Sequence, residues 1–201
     1  SNFNTINVKD MSNMFYLCRS LINLNVSHLN TKSVEDMSYM FYSCNSLQKL
    51  NVSNFNTDNV KNMSFMFSDC NSLNKLDVIN FNTNSVMDLS YMFEGCYSLT
   101  PLHTENFRTD KVLNMSGMFK DCSSITVLDV SKFETTLVKN MSSLFSNCGY
   151  LKSIDLSHFD TKKVTDMSEM FHYCGTLTSL DVSGFITNEV TNMKKMFRSL
   201  T

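Results

Sequence analysis

A block of 26 residues recurs along the whole chain without an insertion or a deletion, and this period limits the fold more than any single residue does. All seven cysteines are spaced 26 residues apart, from Cys18 to Cys174, and a phenylalanine recurs at the same interval from Phe15 to Phe197. Self-similarity at a period of roughly 20 to 50 residues is typical of stacked repeat proteins, whose units bury their apolar side chains against neighbouring units. We therefore expect one continuous solenoid, with no internal domain boundary.

The repeats follow one another directly. Seven full repeats span residues 3–184, and a partial eighth spans residues 185–201. Because the pattern is already under way at the first residue and is still running at the last, we expect the chain to be a fragment of a longer protein.

The first half of each repeat has the spacing of one face of an α-helix. In the second repeat the residues of this face are Val34, Met37, Ser38, Met40, Phe41 and Cys44. An Asp or Asn such as Asp36 comes before this methionine position in every repeat, and both residue types are favoured helix N-caps. Thr31, five positions earlier, is a competing cap. The pattern predicts a short helix of roughly 7 to 10 residues that begins at the Asp or Asn.

The second half of each repeat predicts a short strand, because apolar residues alternate at Leu50 and Val52. Parallel strands lie about 4.8 Å apart, whereas packed helices need about 8–10 Å. A coil of one strand and one helix must then curve. The predicted fold is an α/β solenoid: a curved stack with one short parallel strand on the concave side and one short helix on the convex side of each repeat.

Composition and motifs argue against several classes of function. The formal net charge of −2 gives no reason to expect nucleic acid as a partner, and no apolar run approaches the roughly 18 residues that span a membrane. The four histidines show no partner pattern for a nucleophile or a metal, and there is no glycine-rich phosphate loop. We therefore expect no catalytic residue, no cofactor and no metal site.

The cysteine column invites a disulfide or zinc interpretation. Zinc sites need ligands clustered at short spacing, which this sequence lacks. Side chains stacked in parallel also have poor geometry for a disulfide. We interpret the cysteines as buried free thiols that act as small apolar core residues.

Aromatic residues form the first candidate binding site. Tyr39, Phe65 and Tyr91 occupy the same position of three successive repeats, roughly opposite the buried face, and Tyr42 lies beside them. Aromatic rings exposed in register make an apolar patch, which often marks an interaction site. Drift among recently duplicated repeats, or contact with protein outside this chain, would explain the same pattern.

The fourth repeat and the strand column form the second candidate site. The fourth repeat departs from the others at Tyr97, Pro101 and His103, although imperfect duplication explains this equally well. In the same column as His103, Asp129 and Asp155 are predicted to point outward on the concave face. Neighbouring carboxylates repel one another unless backbone N–H groups or a cation accept them. Capping of the following turn is the favoured interpretation, and a cation-dependent site is the alternative.

The recurring string L-x-x-L-D/N-V-S-x-F, followed by M-S-x-M-F-x-x-C, is seen in Leu76-Asp77-Val78 and in Met92-Phe93 to Cys96. It resembles the BspA-like leucine-rich repeats, the 26-residue repeats of bacterial surface proteins that also occur in some parasitic protists. The resemblance covers essentially the whole chain. It implies a curved leucine-rich-repeat solenoid that is secreted or displayed at the cell surface and takes part in adhesion. The implied partners are extracellular proteins or glycans on host or other cells, and the family has no shared catalytic site to carry over.

We therefore expect a leucine-rich-repeat module that works by non-covalent recognition. The alternative is a structural spacer that presents another domain. A recognition module predicts a surface of irregular chemistry, whereas a spacer predicts interchangeable repeats.

Overall fold

The computed structural model describes residues 3–200 as a stack of 26-residue coils. Three two-residue strands, β1 (Asn23–Leu24), β2 (Lys49–Leu50) and β3 (Lys75–Leu76), form a parallel sheet in the order β1-β2-β3. Leu24 pairs with Leu50, and Leu50 pairs with Leu76, so each strand is displaced from the next by one whole repeat. The predicted parallel strand is therefore confirmed in these three repeats.

A second line of pairing runs through the repeats at the position where the helices were predicted to begin. Each Asp or Asn at this position forms a parallel β-bridge with its counterpart in the next repeat. The bridged residues are Asp10, Asp36, Asn62, Asp88, Asn114, Asn140, Asp166 and Asn192. The Asp36 side chain also accepts the backbone N–H of Ser38 at 2.7 Å. The capping chemistry is as predicted, but it stabilises a turn and not a helix.

The described residues contain no α-helix, so the predicted convex helix is wrong. The residues from Met37 to Cys44 form consecutive turns in which alternate amides bond in different directions. Met40, Tyr42 and Cys44 donate to carbonyls three residues earlier in the same repeat. The amides of the intervening residues donate to carbonyls of the next repeat: Met37 to Asn62, Tyr39 to Ser64, Phe41 to Met66 and Ser43 to Ser68.

The spacing of the coils explains why no helix forms. The Phe41 and Phe67 rings stack with their centroids 5.6 Å apart and their planes within 4°, whereas packed helices need about 8–10 Å. Tyr39 and Ser43 also have φ angles of 57° and 58°, a left-handed conformation that an α-helix does not contain. The unequal spacing from which curvature was predicted is therefore absent.

The core runs along the inside of the stack. The residues that the sequence assigned to one buried helix face are indeed buried: Val34, Met37, Ser38, Met40, Phe41 and Cys44. The six cysteines from Cys44 to Cys174 are buried free thiols, as predicted, and Cys18 is half-buried. Cys70 donates its thiol to the carbonyl of Phe41 at 3.2 Å. Burial raises the pKa of Cys44 to about 11 and that of Cys96 to about 12.

Within residues 3–200, no helix is long and apolar enough to cross a membrane.

Candidate interaction surface

The consecutive turns, residues 37–44 and their equivalents in the other repeats, form one side of the stack, here called the turn face. Tyr39 occupies a left-handed position of this segment, and so do Phe65 and Tyr91. The ladder of backbone hydrogen bonds between repeats holds these three residues in register. The aromatic column is therefore placed by turns, although it was predicted from helical geometry.

The rings of this column stack face to face. The Tyr39 and Phe65 centroids are 4.6 Å apart with planes 6° from parallel, and those of Phe65 and Tyr91 are 4.7 Å apart at 13°. Tyr16 and Tyr42 form a second stack at 5.0 Å. The Tyr39 ring meets the Tyr42 ring edge-on at 5.6 Å, which joins the two stacks. We call Tyr16, Tyr39, Tyr42, Phe65 and Tyr91 the aromatic cluster.

The cluster is only partly exposed, because its ring faces pack against one another. Tyr39, Tyr42, Phe65 and Tyr91 are half-buried, whereas Tyr16 is 43% exposed. The last ring of the longer stack, Tyr91, lies over Gly117, where an added Cβ would collide with it. The surface thus presents ring edges to solvent, and a flat ring face is not available as a platform.

Charged residues that the sequence interpretation did not single out border the cluster. Lys120 lies 6.0 Å from the Tyr91 ring centroid, and its Nζ pairs with Glu94 at 2.7 Å. Burial lowers the pKa of Lys120, but the bond to Glu94 outweighs this and leaves the pKa raised. Asp69 and Asp121 occupy the same repeat position two repeats apart. That 26-residue register was the signal that could have revealed this charged border.

The Asp69 carboxylate is the charged group of this border that lacks an ion-pair partner. Within residues 3–200, no cationic group lies within 4.0 Å of it. Burial, and then the neighbouring charges of Glu94 and Asp121, raise the pKa of Asp69, while Lys120 and Arg19 partly oppose this. Asp69 is therefore a half-buried carboxylate whose charge is incompletely compensated.

Tyr97 belongs to the turn face, so the structure separates it from His103, with which the sequence grouped it. Burial, Asp121 and Asp69 raise the pKa of Tyr97, in that order, which places the phenol beside these carboxylates. The Tyr97 side chain is 44% exposed. It extends the turn-face surface toward the later repeats.

His103 lines a cleft on the opposite side, the strand face, which carries β1–β3 and their equivalents. Its Nδ1 lies 3.1 Å from the Glu105 carboxylate, and both side chains are exposed. The cleft has a volume of about 600 Å³ and extends from Leu76 to Pro101. Pro101 occupies the position of Lys75 in the fourth repeat and has no N–H to donate. The sheet ends at β3, next to this proline.

Asp129 and Asp155 also lie on the strand face, where each carboxylate caps a turn. Asp129 accepts the amide of Ser131 and Asp155 that of Ser157, both at 2.9 Å. These hydrogen bonds lower the pKa of both carboxyls. The favoured capping interpretation is confirmed. Among the described residues, no group of three or more His, Cys, Asp or Glu side chains is arranged to hold a metal ion.

Comparison with known proteins agrees with a repeat protein of this kind. The model of one family, described as Mycoplasma protein of unknown function, DUF285, matches residues 1–102 and again residues 87–201. No curated protein shows significant sequence similarity to the chain.

A crystal structure of a leucine-rich repeat protein from Eubacterium ventriosum resembles the chain with a TM-score of 0.40 and 18% sequence identity. The match covers 86% of this chain and 41% of that one, so the chain spans less than half the length of the protein it matches. The repeat geometry, and not this similarity, defines the fold. Because the two family matches together span all 201 residues, the chain belongs to the DUF285 family.

Proposed function

We propose that the chain is a recognition module that binds a partner protein non-covalently, without catalysis, through the aromatic cluster on the turn face. The observation that carries this proposal is the confinement of the stacked rings to the first four repeats. In the later repeats the position of Tyr39 is taken by Gly117, Ser143, Glu169 and Lys195. The backbone repeats regularly, whereas this part of the surface does not, and an irregular surface on a regular scaffold favours recognition.

The geometry of the rings favours a protein partner over a glycan. Stacking of a sugar needs an open ring face, whereas the faces of Tyr39, Phe65 and Tyr91 already pack against their neighbours. Ring edges and half-exposed apolar atoms suit the apolar and hydrogen-bonding side chains of a protein surface. The ladder of hydrogen bonds beneath the rings keeps them in place before binding, which reduces the entropy lost on binding.

We place this module at the cell surface or in a secreted protein, with an extracellular protein of a host or of another cell as its partner. This part of the proposal draws on the resemblance of the repeats to the BspA-like leucine-rich repeats of bacterial surface proteins. A structural spacer is the second candidate. The uniform hydrogen bonding from repeat to repeat supports it, because a spacer needs regular repeats and no distinct surface.

The experiment that separates the two immobilises the chain and measures binding of a panel of extracellular matrix proteins, glycans and whole cells. The test variant is the triple substitution Tyr39→Ser, Phe65→Ser and Tyr91→Ser. Because these rings are half-buried, a second variant, Tyr16→Ser, alters an exposed member of the cluster with less effect on folding. The matched control is Tyr150→Ser, since Tyr150 is 64% exposed and lies outside the cluster.

Saturable binding that is weakened in both cluster variants and retained in the Tyr150 variant supports recognition through the cluster. Binding that is unchanged in folded cluster variants contradicts it. Failure of the intact chain to bind any member of the panel favours the spacer. Circular dichroism checks that each variant has the spectrum of the unaltered chain.

A further inference from the structure

The Asp69 carboxylate lies beside the aromatic cluster with no cation paired to it in the described part of the chain. We infer that Asp69 receives a lysine or arginine side chain of the partner protein, so that the turn face selects a basic segment. This inference rests on the proposed function and names the chemistry of its partner.

The molecule contains an internal example of the same arrangement. Two repeat positions of the turn face bring Tyr91, Glu94 and Lys120 together. The Lys120 ammonium pairs with Glu94 at 2.7 Å and lies 6.0 Å from the Tyr91 centroid. A cation between a carboxylate and an aromatic ring gains from both, and partial burial strengthens the attraction. Lys120 therefore satisfies one carboxylate of the surface from within the chain.

Asp69 has the surroundings of Glu94 without the lysine. Burial and then the charge of Asp69 raise the pKa of Tyr42, and Asp69 is also among the carboxylates that raise the pKa of Tyr97. The carboxylate thus lies near a tyrosine of the cluster and near the exposed Tyr97. An incoming ammonium or guanidinium group would find at Asp69 the two kinds of partner that Lys120 finds at Glu94 and Tyr91.

The charge balance of the border points to a cationic partner. Three carboxylates, those of Asp69, Glu94 and Asp121, face the cation of Lys120, and Arg19 acts on Asp69 only from beyond ion-pair distance. A basic segment would complete this balance, whereas an acidic one would be repelled. The apolar stems of lysine and arginine side chains would cover the exposed ring edges at the same time.

The test uses a short fluorescein-labelled peptide of alternating arginine and alanine, and the same peptide with glutamate in place of arginine. Fluorescence anisotropy measures binding to the whole chain, to Asp69→Asn and to Asp58→Asn. Asp58 is the matched control because it is an exposed carboxylate outside the turn face, where it accepts hydrogen bonds from Asn56 and Asn82.

We expect saturable binding of the arginine peptide, about tenfold weaker for Asp69→Asn, unchanged for Asp58→Asn and reduced by added salt. Equal affinity of the unaltered chain and Asp69→Asn overturns the inference. So does binding of the glutamate peptide as tight as that of the arginine peptide, or no binding of the arginine peptide at all.

One outcome separates this inference from the proposed function. If Tyr16→Ser weakens binding and Asp69→Asn does not, the aromatic cluster recognises its partner without the carboxylate, and only the basic chemistry of the partner is refuted. Urea unfolding of Asp69→Asn establishes that any loss of binding comes from the surface and not from misfolding.

Discussion

A threonine that recurs in every repeat joins one coil to the next through a single hydroxyl group. The Thr57 hydroxyl donates to the carbonyl of Asn82 at 3.0 Å and accepts the amide of the same residue at 2.8 Å. Thr57 is 1% exposed, so water cannot replace this group. Both backbone polar groups of Asn82 therefore depend on one side chain in the preceding repeat.

Replacing Thr57 with valine keeps the shape of the side chain and leaves these two backbone groups without their partner. We expect Thr57→Val to reduce the free energy of unfolding by roughly 1–3 kcal/mol, the cost of burying unsatisfied polar groups. Urea unfolding followed by circular dichroism measures this. The control is Thr165→Val, whose hydroxyl bond to Lys139 is exposed and whose loss should change stability by less than about 0.5 kcal/mol. Equal effects of the two substitutions would contradict the assigned role.

The glycine beneath Tyr91 permits a second test of a single position. Gly117 has a φ of 58°, and a methyl group there would strike the Tyr91 ring. Gly117→Ala should therefore destabilise the chain by roughly 1–3 kcal/mol through backbone strain and overpacking. Gly149→Ala is the matched control, because a Cβ at Gly149 meets open space. Thermal unfolding of both variants checks the difference, and a harmless Gly117→Ala would mean that the ring does not lie over this glycine.

The pH dependence of stability distinguishes Asp69 from Asp129. The pKa of Asp69 is raised from 3.8, so ionisation opposes folding above the folded-state pKa, and this effect vanishes below the unfolded value. Asp69→Asn should therefore stabilise the chain near neutral pH, with the gain disappearing in acid.

The pKa of Asp129 is lowered from 3.8 by its bond to Ser131. Its contribution to stability is present above the unfolded pKa and is lost as the pH falls through the folded one. Asp129→Asn should thus have the opposite sign near neutral pH. Urea titrations at about pH 7 and about pH 3 measure both, and the same sign for both substitutions would refute the assignment.

At the scale of elements, the sequence predicts burial well and hydrogen bonding poorly. The stripe from Val34 to Cys44 is buried as its spacing indicates, because apolar residues three and four apart share a side in successive turns as well as in a helix. The amide of Tyr39, however, bonds to Ser64 in the next repeat. A local pattern carries no information about a carbonyl in a neighbouring coil. The stacked aromatic column was predictable for the same reason as the core, whereas the role of Asp69 depends on neighbours in adjacent repeats.

The turn segment makes a prediction that a helix would not. Far-ultraviolet circular dichroism should lack the paired minima of an α-helix. Hydrogen exchange should alternate in the last repeat, where Met196 and Arg198 donate within the repeat and should exchange more slowly than Lys195 and Phe197. The equivalent amides Tyr39 and Phe41 bond to the next repeat and should be protected. A helical spectrum, or uniform protection from Lys195 to Arg198, would contradict the turn geometry.

At the scale of the whole molecule, a regular backbone carries an irregular surface. The line of bridges from Asp10 to Asn192 runs without interruption, so each repeat is stabilised mainly by its two neighbours. The aromatic cluster and Asp69 lie in the first half of the chain. The period of 26 residues thus predicts the scaffold, whereas the candidate site depends on departures from it.

Removing one repeat from either half separates the scaffold from the site. Deletion of residues 55–80 keeps the register, removes Phe65 and Asp69, and brings Tyr39 next to Tyr91. Deletion of residues 133–158 keeps the register and leaves the cluster intact. Each deletion removes one repeat and one interface, so the two should lower the free energy of unfolding by similar amounts. Only the first should weaken binding of the arginine peptide, because only the first removes its carboxylate and a ring of the stack. Equal losses of binding from the two deletions would favour the spacer, in which every repeat contributes only length.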